Sequence, residues 1–152
     1  MDTIDSKILE ILSKKADATA TEIGETVGLS IPAVNKRILR MKQEGVIKYF
    51  SIVTDAQKLN KTITAFVFVV IQYGEGIDGL MEYVEKESNL LECYSVTGEY
   101  DYMIKVCTNS IDSLDDIILK IKRIKGVMRS HTMISLMERK FLPTVLPDKN
   151  FK

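Results

Sequence analysis

Residues Thr19–Ile47 read TATEIGETVGLSIPAVNKRILRMKQEGVI, and their caps, apolar spacings and glycines resolve into two short helices joined by a tight turn. Thr19 and Glu22 have capping-box spacing: the hydroxyl satisfies a first-turn amide and the carboxylate reaches back. Ile23 and Val27, four apart, make one apolar stripe. Gly28 suits the left-handed residue that closes a helix, having no Cβ to clash. Ser30 is an N-cap type, and Pro32 is tolerated in the next helix's first turn. Gly45 ends that second helix. This is the arrangement in which a helix-turn-helix lays its second helix in the major groove of DNA.

At about 100° per residue, Ile31, Val34, Ile38 and Met41 fall on one side of the second helix and are expected in the core. Pro32, Lys36, Leu39 and Gln43 fall opposite. Asn35 and Lys42 lie on one flank, Ala33, Arg37 and Arg40 on the other. Lysines and arginines here would displace counterions from phosphates, and Asn35 and Lys36, near the helix N-terminus, would reach base edges. The DNA-facing set is therefore Ser30, Pro32, Ala33, Asn35, Lys36, Arg37 and Arg40. A charge run is also what any solvated helix face shows. Arg37, beside the core stripe, has a second reading as a residue that holds the domain together.

Working outward, Ile4, Ile8, Leu9, Ile11 and Leu12 recur at helical spacing, with Asp2 and Asp5 at the positive end of the helix dipole. Val46–Val53 is β-branched and aromatic and reads as a strand. Residues 1–53 thus form a DNA-binding domain, and 54–61 a polar linker in which Asn60 suits a left-handed turn.

Beyond the linker the pattern is β-α-β-β-α-β. Thr62–Tyr73 is a long strand, and Ile77, Leu80, Met81 and Val84 mark a helix. Leu90–Thr97 and Tyr102–Cys107 are strands. Leu114, Ile117, Ile118, Ile121 and Ile124 mark a helix ended by Gly126, and Val127–Met137 is the last strand. The fold class is α+β: a winged-type helix-turn-helix domain followed by a ferredoxin-like domain over residues 62–138, with both helices on one face of an antiparallel sheet. Residues 139–152 form a tail. The first strand carries Ala65, Val67 and Val69 on one face and Phe66, Phe68 and Val70 on the other. In the last strand Met128, Ile134 and Leu136 are assigned to one face, Met133 and Met137 to the other. A sheet apolar on both faces needs a second cover, and another copy of the chain is the simplest; the tail is the alternative.

Among 152 residues, 45% are hydrophobic, 28% are charged and the net charge is zero. Grip on DNA must therefore be local, balanced by acid past the linker. No apolar run reaches the ~18–20 residues of a membrane span. The acidic N-terminus opens into a helix, so no signal peptide is apparent. The expected compartment is cytoplasmic, with Cys93 and Cys107 as free thiols. The Gly98–Tyr102 turn holds a glycine, two carboxylates and two tyrosines. Such a set would offer acceptors to an ammonium group and amides to a carboxylate, although most such turns are plain loops.

Helix-turn-helix, linker and β-α-β-β-α-β domain together resemble the Lrp/AsnC, or feast/famine, family of transcriptional regulators. The resemblance is carried by Asp5, Ile8 and Leu12, by Gly28-Leu29-Ser30 before Val34, Arg37 and Ile38, by Gly45-Val46-Ile47, by Thr97-Gly98-Glu99-Tyr100-Asp101-Tyr102, and by Gly126-Val127 leading to Thr132. It implies sequence-specific DNA binding on the nucleoid and homodimers through the second domain, often assembled to octamers. It also implies an amino-acid effector between subunits at Gly98, Tyr100 and Asp101, with Thr97, Glu99 and Thr132 beside them, and no cofactor. Asn60 where glycine is usual, Met41 for leucine, Asp17-Ala18 without a basic residue and Glu99 for aspartate are departures. Two other readings stand beside this one. The first is an architectural DNA-binding protein without effector. The second is a tetrapyrrole decarboxylase-like enzyme on the same fold, a reading that the single histidine, His131, and the lack of tryptophan and Cys-x-x-Cys disfavour. No enzymatic role is expected.

Overall fold

The computed structural model describes residues 1–72, 74 and 76–148. The expected end of the long strand at Tyr73, and tail residues 149–152, lie outside the described residues. The chain divides into two compact units, residues 1–53 with the tail from Lys140, and residues 54–139.

The first unit is three helices: α1 (Thr3–Lys14), α2 (Ala20–Val27) and α3 (Ile31–Gln43). Local chemistry sets their ends. Asp2 and Asp5 form a capping box on α1, and Thr19 and Glu22 form another on α2, which Gly28 closes in the left-handed conformation. Ile8, Leu12, Ile23, Val34 and Met41 make the core, the stripe expected from the sequence except for Ile31. That residue is 48% exposed, because it opens the helix before the chain turns fully inward. Ser30 occupies the N-cap of α3 but makes no capping bond. Pro32, two positions on, has no N–H to offer, which removes one of the two usual donors. Val46–Val53 forms no strand. Tyr49, Ile52 and Val53 stand exposed, since β-branched residues make a strand only against a neighbour that presents a matching edge.

Two carboxylates of the caps titrate far below their ordinary values. Asp2 is lowered to about 2, chiefly by the Asp5 backbone amide and then by Arg37. Glu22 is lowered to about 2, chiefly by Lys15 and then by the Thr19 amide. A carboxylate whose pKa is depressed on folding stabilises the fold above its unfolded value, and that stability is lost as pH falls through the folded value. The thermal midpoint of the first unit is expected to fall as pH drops from the ordinary values of 3.8 and 4.5 towards about 2. Because both groups are solvent-exposed, the slope is shallow and flattens with salt. A circular-dichroism melt repeated through that window checks it; a constant midpoint refutes it.

The second unit is a four-stranded antiparallel sheet in the order β2-β3-β1-β4, with β1 (Ile63–Ile71), β2 (Leu90–Ser95), β3 (Tyr102–Thr108) and β4 (Val127–Ile134). Helices α4 (Ile77–Lys86) and α5 (Ile111–Arg123) supply Leu80, Leu114, Ile117 and Ile121 to a core with Ala65, Val67, Val69, Ile104 and Val106. The Ser110 hydroxyl caps α5 by accepting from the Ser113 amide. Phe66, Phe68 and Val70 alternate onto the opposite face and are half-buried. Two expectations for β4 fail. The register shifts between Val70 and Ile71, so Val127 rather than Met128 turns to the core, and Met128 is left 69% exposed. The strand stops at Ile134, short of Met137, because Ser135 donates to Thr64 beside the first residue of β1 and nothing beyond is left to pair. Leu136 and Met137 are consequently exposed beyond the strand, on neither face. Both cysteines are free.

Candidate nucleic-acid and effector sites

Helix α3 turns Val34 and Met41 inward and is partly buried at Ile38; Pro32, Asn35 and Lys36 are exposed. The uncapped Ser30 hydroxyl is exposed at its N-terminus, where orphan amides and the helix dipole favour an anion. Ala33, Lys36, Arg37, Leu39, Arg40 and Gln43 line a shallow groove along the exposed side. Among the described residues no carboxylate pairs with Lys36. Lys42 lies over the Phe50 ring, 4.7 Å from its centroid.

The two arginines behave differently. Arg37 donates to Asp2 at 2.7 Å and to Asp5 at 2.8 Å, and Arg40 donates to Asp5 at 2.5 Å. The Asp5 side chain is fully buried. The second reading of Arg37 therefore holds in the fold and extends to Arg40, which the sequence assigned only to DNA. Asp5, an acid at the positive end of the helix dipole, also stands in register with Ile8 and Leu12, the buried stripe of α1, and that spacing signals its burial.

In the second unit, Thr97–Asp101 forms a turn closed by the Val96 amide donating to the Asp101 carbonyl (2.9 Å). It is tied to β1 twice: the Asp101 amide donates to the Val69 carbonyl, and the Asp101 carboxylate accepts from the Ile71 amide, both at 2.9 Å. One carboxylate oxygen expected for a ligand is thus engaged in holding the turn. Tyr100 leaves the turn and lies on the open sheet face, 5.2 Å from the Phe68 ring centroid and 6.1 Å from His131. The Arg129 guanidinium sits 5.4 Å from the Tyr100 ring. Thr97, Gly98 and Glu99 are exposed at the tip. Thr132 is not brought to this cluster. It pairs opposite Val67, whereas His131 pairs opposite Phe68, and successive strand residues point to opposite faces.

Comparison with known proteins follows the same division. Residues 1–48 match a family model described as winged helix-turn-helix DNA-binding, and residues 64–145 match the Lrp/AsnC ligand binding domain. The HTH-type transcriptional regulator FL11 of Pyrococcus furiosus is 34% identical over 143 residues, 92% of each chain. Escherichia coli AsnC superposes with a TM-score of 0.87 at 27% identity, over 97% of this chain and 99% of that one. A transcriptional regulator of Neisseria meningitidis, solved as a complex with L-Met, gives a TM-score of 0.91 at 23% identity, over 95% and 96% of the two chains. At that identity the likeness is one of fold.

Proposed function

Since the chain belongs to the Lrp/AsnC family of transcriptional regulators, we propose that it binds specific duplex DNA through α3 of paired copies, under the control of a small amino acid. The carrying observation is the exposed face of α3, where Ser30, Pro32, Asn35 and Lys36 surround an open helix N-terminus over a buried Val34 and Met41. Ala33 lines the same groove. Ser30 and the first-turn amides take a phosphate, Lys36 takes another, and Asn35 reaches a base edge. Copies pair through the open sheet face around Phe66 and Phe68, and pairs assemble to octamers. The amino acid sits between subunits at Thr97, Gly98, Glu99, Tyr100 and Asp101. Thr132 joins only from the helix-side face, at the β4 edge, so it would meet the effector from another subunit. Complexes such as that of the Neisseria protein with L-Met support this effector class on this fold. The protein works in the cytoplasm, on the nucleoid, as a regulator without catalysis.

Selection of duplexes from a random pool tests the DNA reading. Lys36→Ala is expected to weaken binding to every duplex and to reduce the slope of log K against log salt by about 0.9 for each copy on the duplex, about 1.8 for a pair. A pool left unenriched and a slope left unchanged would sink the assignment. A thermal-shift screen of the twenty amino acids tests the effector. A ligand at a hundred times its Kd stabilises by about 2.7 kcal/mol, and Asp101→Ala is expected to abolish the shift. No shift with any of them favours the effector-free architectural protein.

A further inference from the structure

Asp5 stands at the meeting point of α1 and α3 and has no place in the DNA contacts described above. Its carboxylate is wholly buried, yet it accepts from Arg37 at 2.8 Å, from Arg40 at 2.5 Å and from the Asp2 backbone amide at 2.9 Å. The two arginines are three residues apart, on one side of α3. A single carboxylate that bonds both fixes the rotation of that helix about its axis and its position along it. The Asp5 amide donates in turn to the Asp2 carboxylate at 2.8 Å, which also takes Arg37. Clamp and α1 cap are therefore one network.

Both guanidiniums are supplied with carboxylates from more than one side. Arg37 faces Asp2 and Asp5, while Arg40 faces Asp5 and, at 3.8 Å, Glu44. Two guanidiniums meet three carboxylates, of which Asp5 alone is buried. Among the described residues, the α3 cations without a carboxylate partner are then Lys36 and Lys42.

We infer that Asp5 is a positioning residue for DNA recognition: it locks Arg37 and Arg40 so that α3 meets the groove at one fixed rotation, and it withholds both guanidiniums from phosphates. This rests on the reading of α3 as the DNA-reading helix. Arg37 and Arg40 then contribute discrimination between sequences, through orientation, and little of the counterion release that sets the salt slope.

The test compares the full-length protein and two variants on a duplex enriched by the wild type and on an unrelated duplex of the same length, across a salt series. Asp5→Asn removes the charge that the two guanidiniums share and leaves Arg37 only Asp2, and Arg40 only Glu44, as ionic partners. Its binding to the unrelated duplex is expected to tighten, with a slope steeper by about 0.9 for each arginine that reaches a phosphate. The preference for the enriched duplex should fall tenfold or more. A simple folding defect would weaken both. If circular dichroism shows Asp5→Asn to be unfolded, Arg40→Gln decides, since Asp5 there keeps Arg37 and the Asp2 amide. Arg40→Gln is expected to lose preference at an unchanged slope. A slope shallower by about 0.9 for each copy on the duplex would make Arg40 a phosphate ligand and overturn the inference. With Lys36→Ala behaving as expected, that result overturns the clamp alone. Wild-type protein that binds neither duplex removes the reading of α3, and the clamp with it.

Discussion

Gly24→Ala lowers the thermal midpoint of the first unit by roughly 5–20 °C, the equivalent of the ~1–3 kcal/mol that overpacking costs in a domain of this size. Elsewhere the same change would help, because glycine inside a helix costs about 0.5–1 kcal/mol relative to alanine. Here the sign reverses. A Cβ on Gly24 would lie 2.5 Å from the Leu29 carbonyl oxygen, a backbone atom that cannot rotate away. The Leu29 amide donates to the Gly24 carbonyl at 3.0 Å, so the turn between α2 and α3 is held against this glycine. To admit a methyl group, the chain must open the turn, break that bond and shift α3 relative to Ile23. DNA binding should fail with it, since the turn sets the angle at which α3 is presented. Thr21→Ala, on the exposed side of α2, is the control and should move the midpoint little. A Gly24→Ala melt that matches the wild type would mean that the turn widens freely.

The features read correctly from the sequence are those whose causes are local. The Thr19–Glu22 box, Gly28 at the end of α2 and the left-handed Asn60 each depend on a few neighbouring residues. The alternation in β1 separated Ala65, Val67 and Val69 from Phe66 and Phe68 without knowledge of any partner strand. What failed depends on distant pairing. The Val70/Ile71 register shift that turns Val127 inward arises where β1 meets β4, and Val127–Met128 alone carries no sign of it. Val46–Val53 has strand composition but, among the described residues, no strand in its own unit to pair with. Asp5 finds its arginine partners 32 and 35 residues away, and only its capping-box bond from the Asp2 amide is local. Thr132 was grouped with the Gly98–Asp101 turn by resemblance, and only the β1–β4 register sets it on the opposite face.

Phe68→Asp is expected to leave the second unit folded and to abolish self-association. The core side of β1, with Ala65, Val67 and Val69 fully buried, does not touch this position. The open face does. Phe68 pairs opposite Met103 on one side and His131 on the other, next to Phe66 and Val70, and Met133 is 48% exposed beside them. An apolar patch of this kind on a sheet is covered by another chain or is a liability. A carboxylate at its centre would have to give up its water on assembly, a cost larger than the loss of one ring even with His131 opposite it. Sedimentation should then show monomer. DNA affinity should fall by roughly 10²–10⁴-fold, because two linked recognition helices gain that much from effective concentration. The effector turn is tied to the same face, since the Tyr100 ring lies tilted against Phe68, centroids 5.2 Å apart. Phe68→Asp is therefore expected to lose the amino-acid thermal shift together with assembly, whereas Asp101→Ala loses the shift and stays assembled. Phe68→Asp that remains associated at wild-type concentrations would move the interface to another surface. A variant that dissociates and still binds the amino acid would place the effector within one subunit.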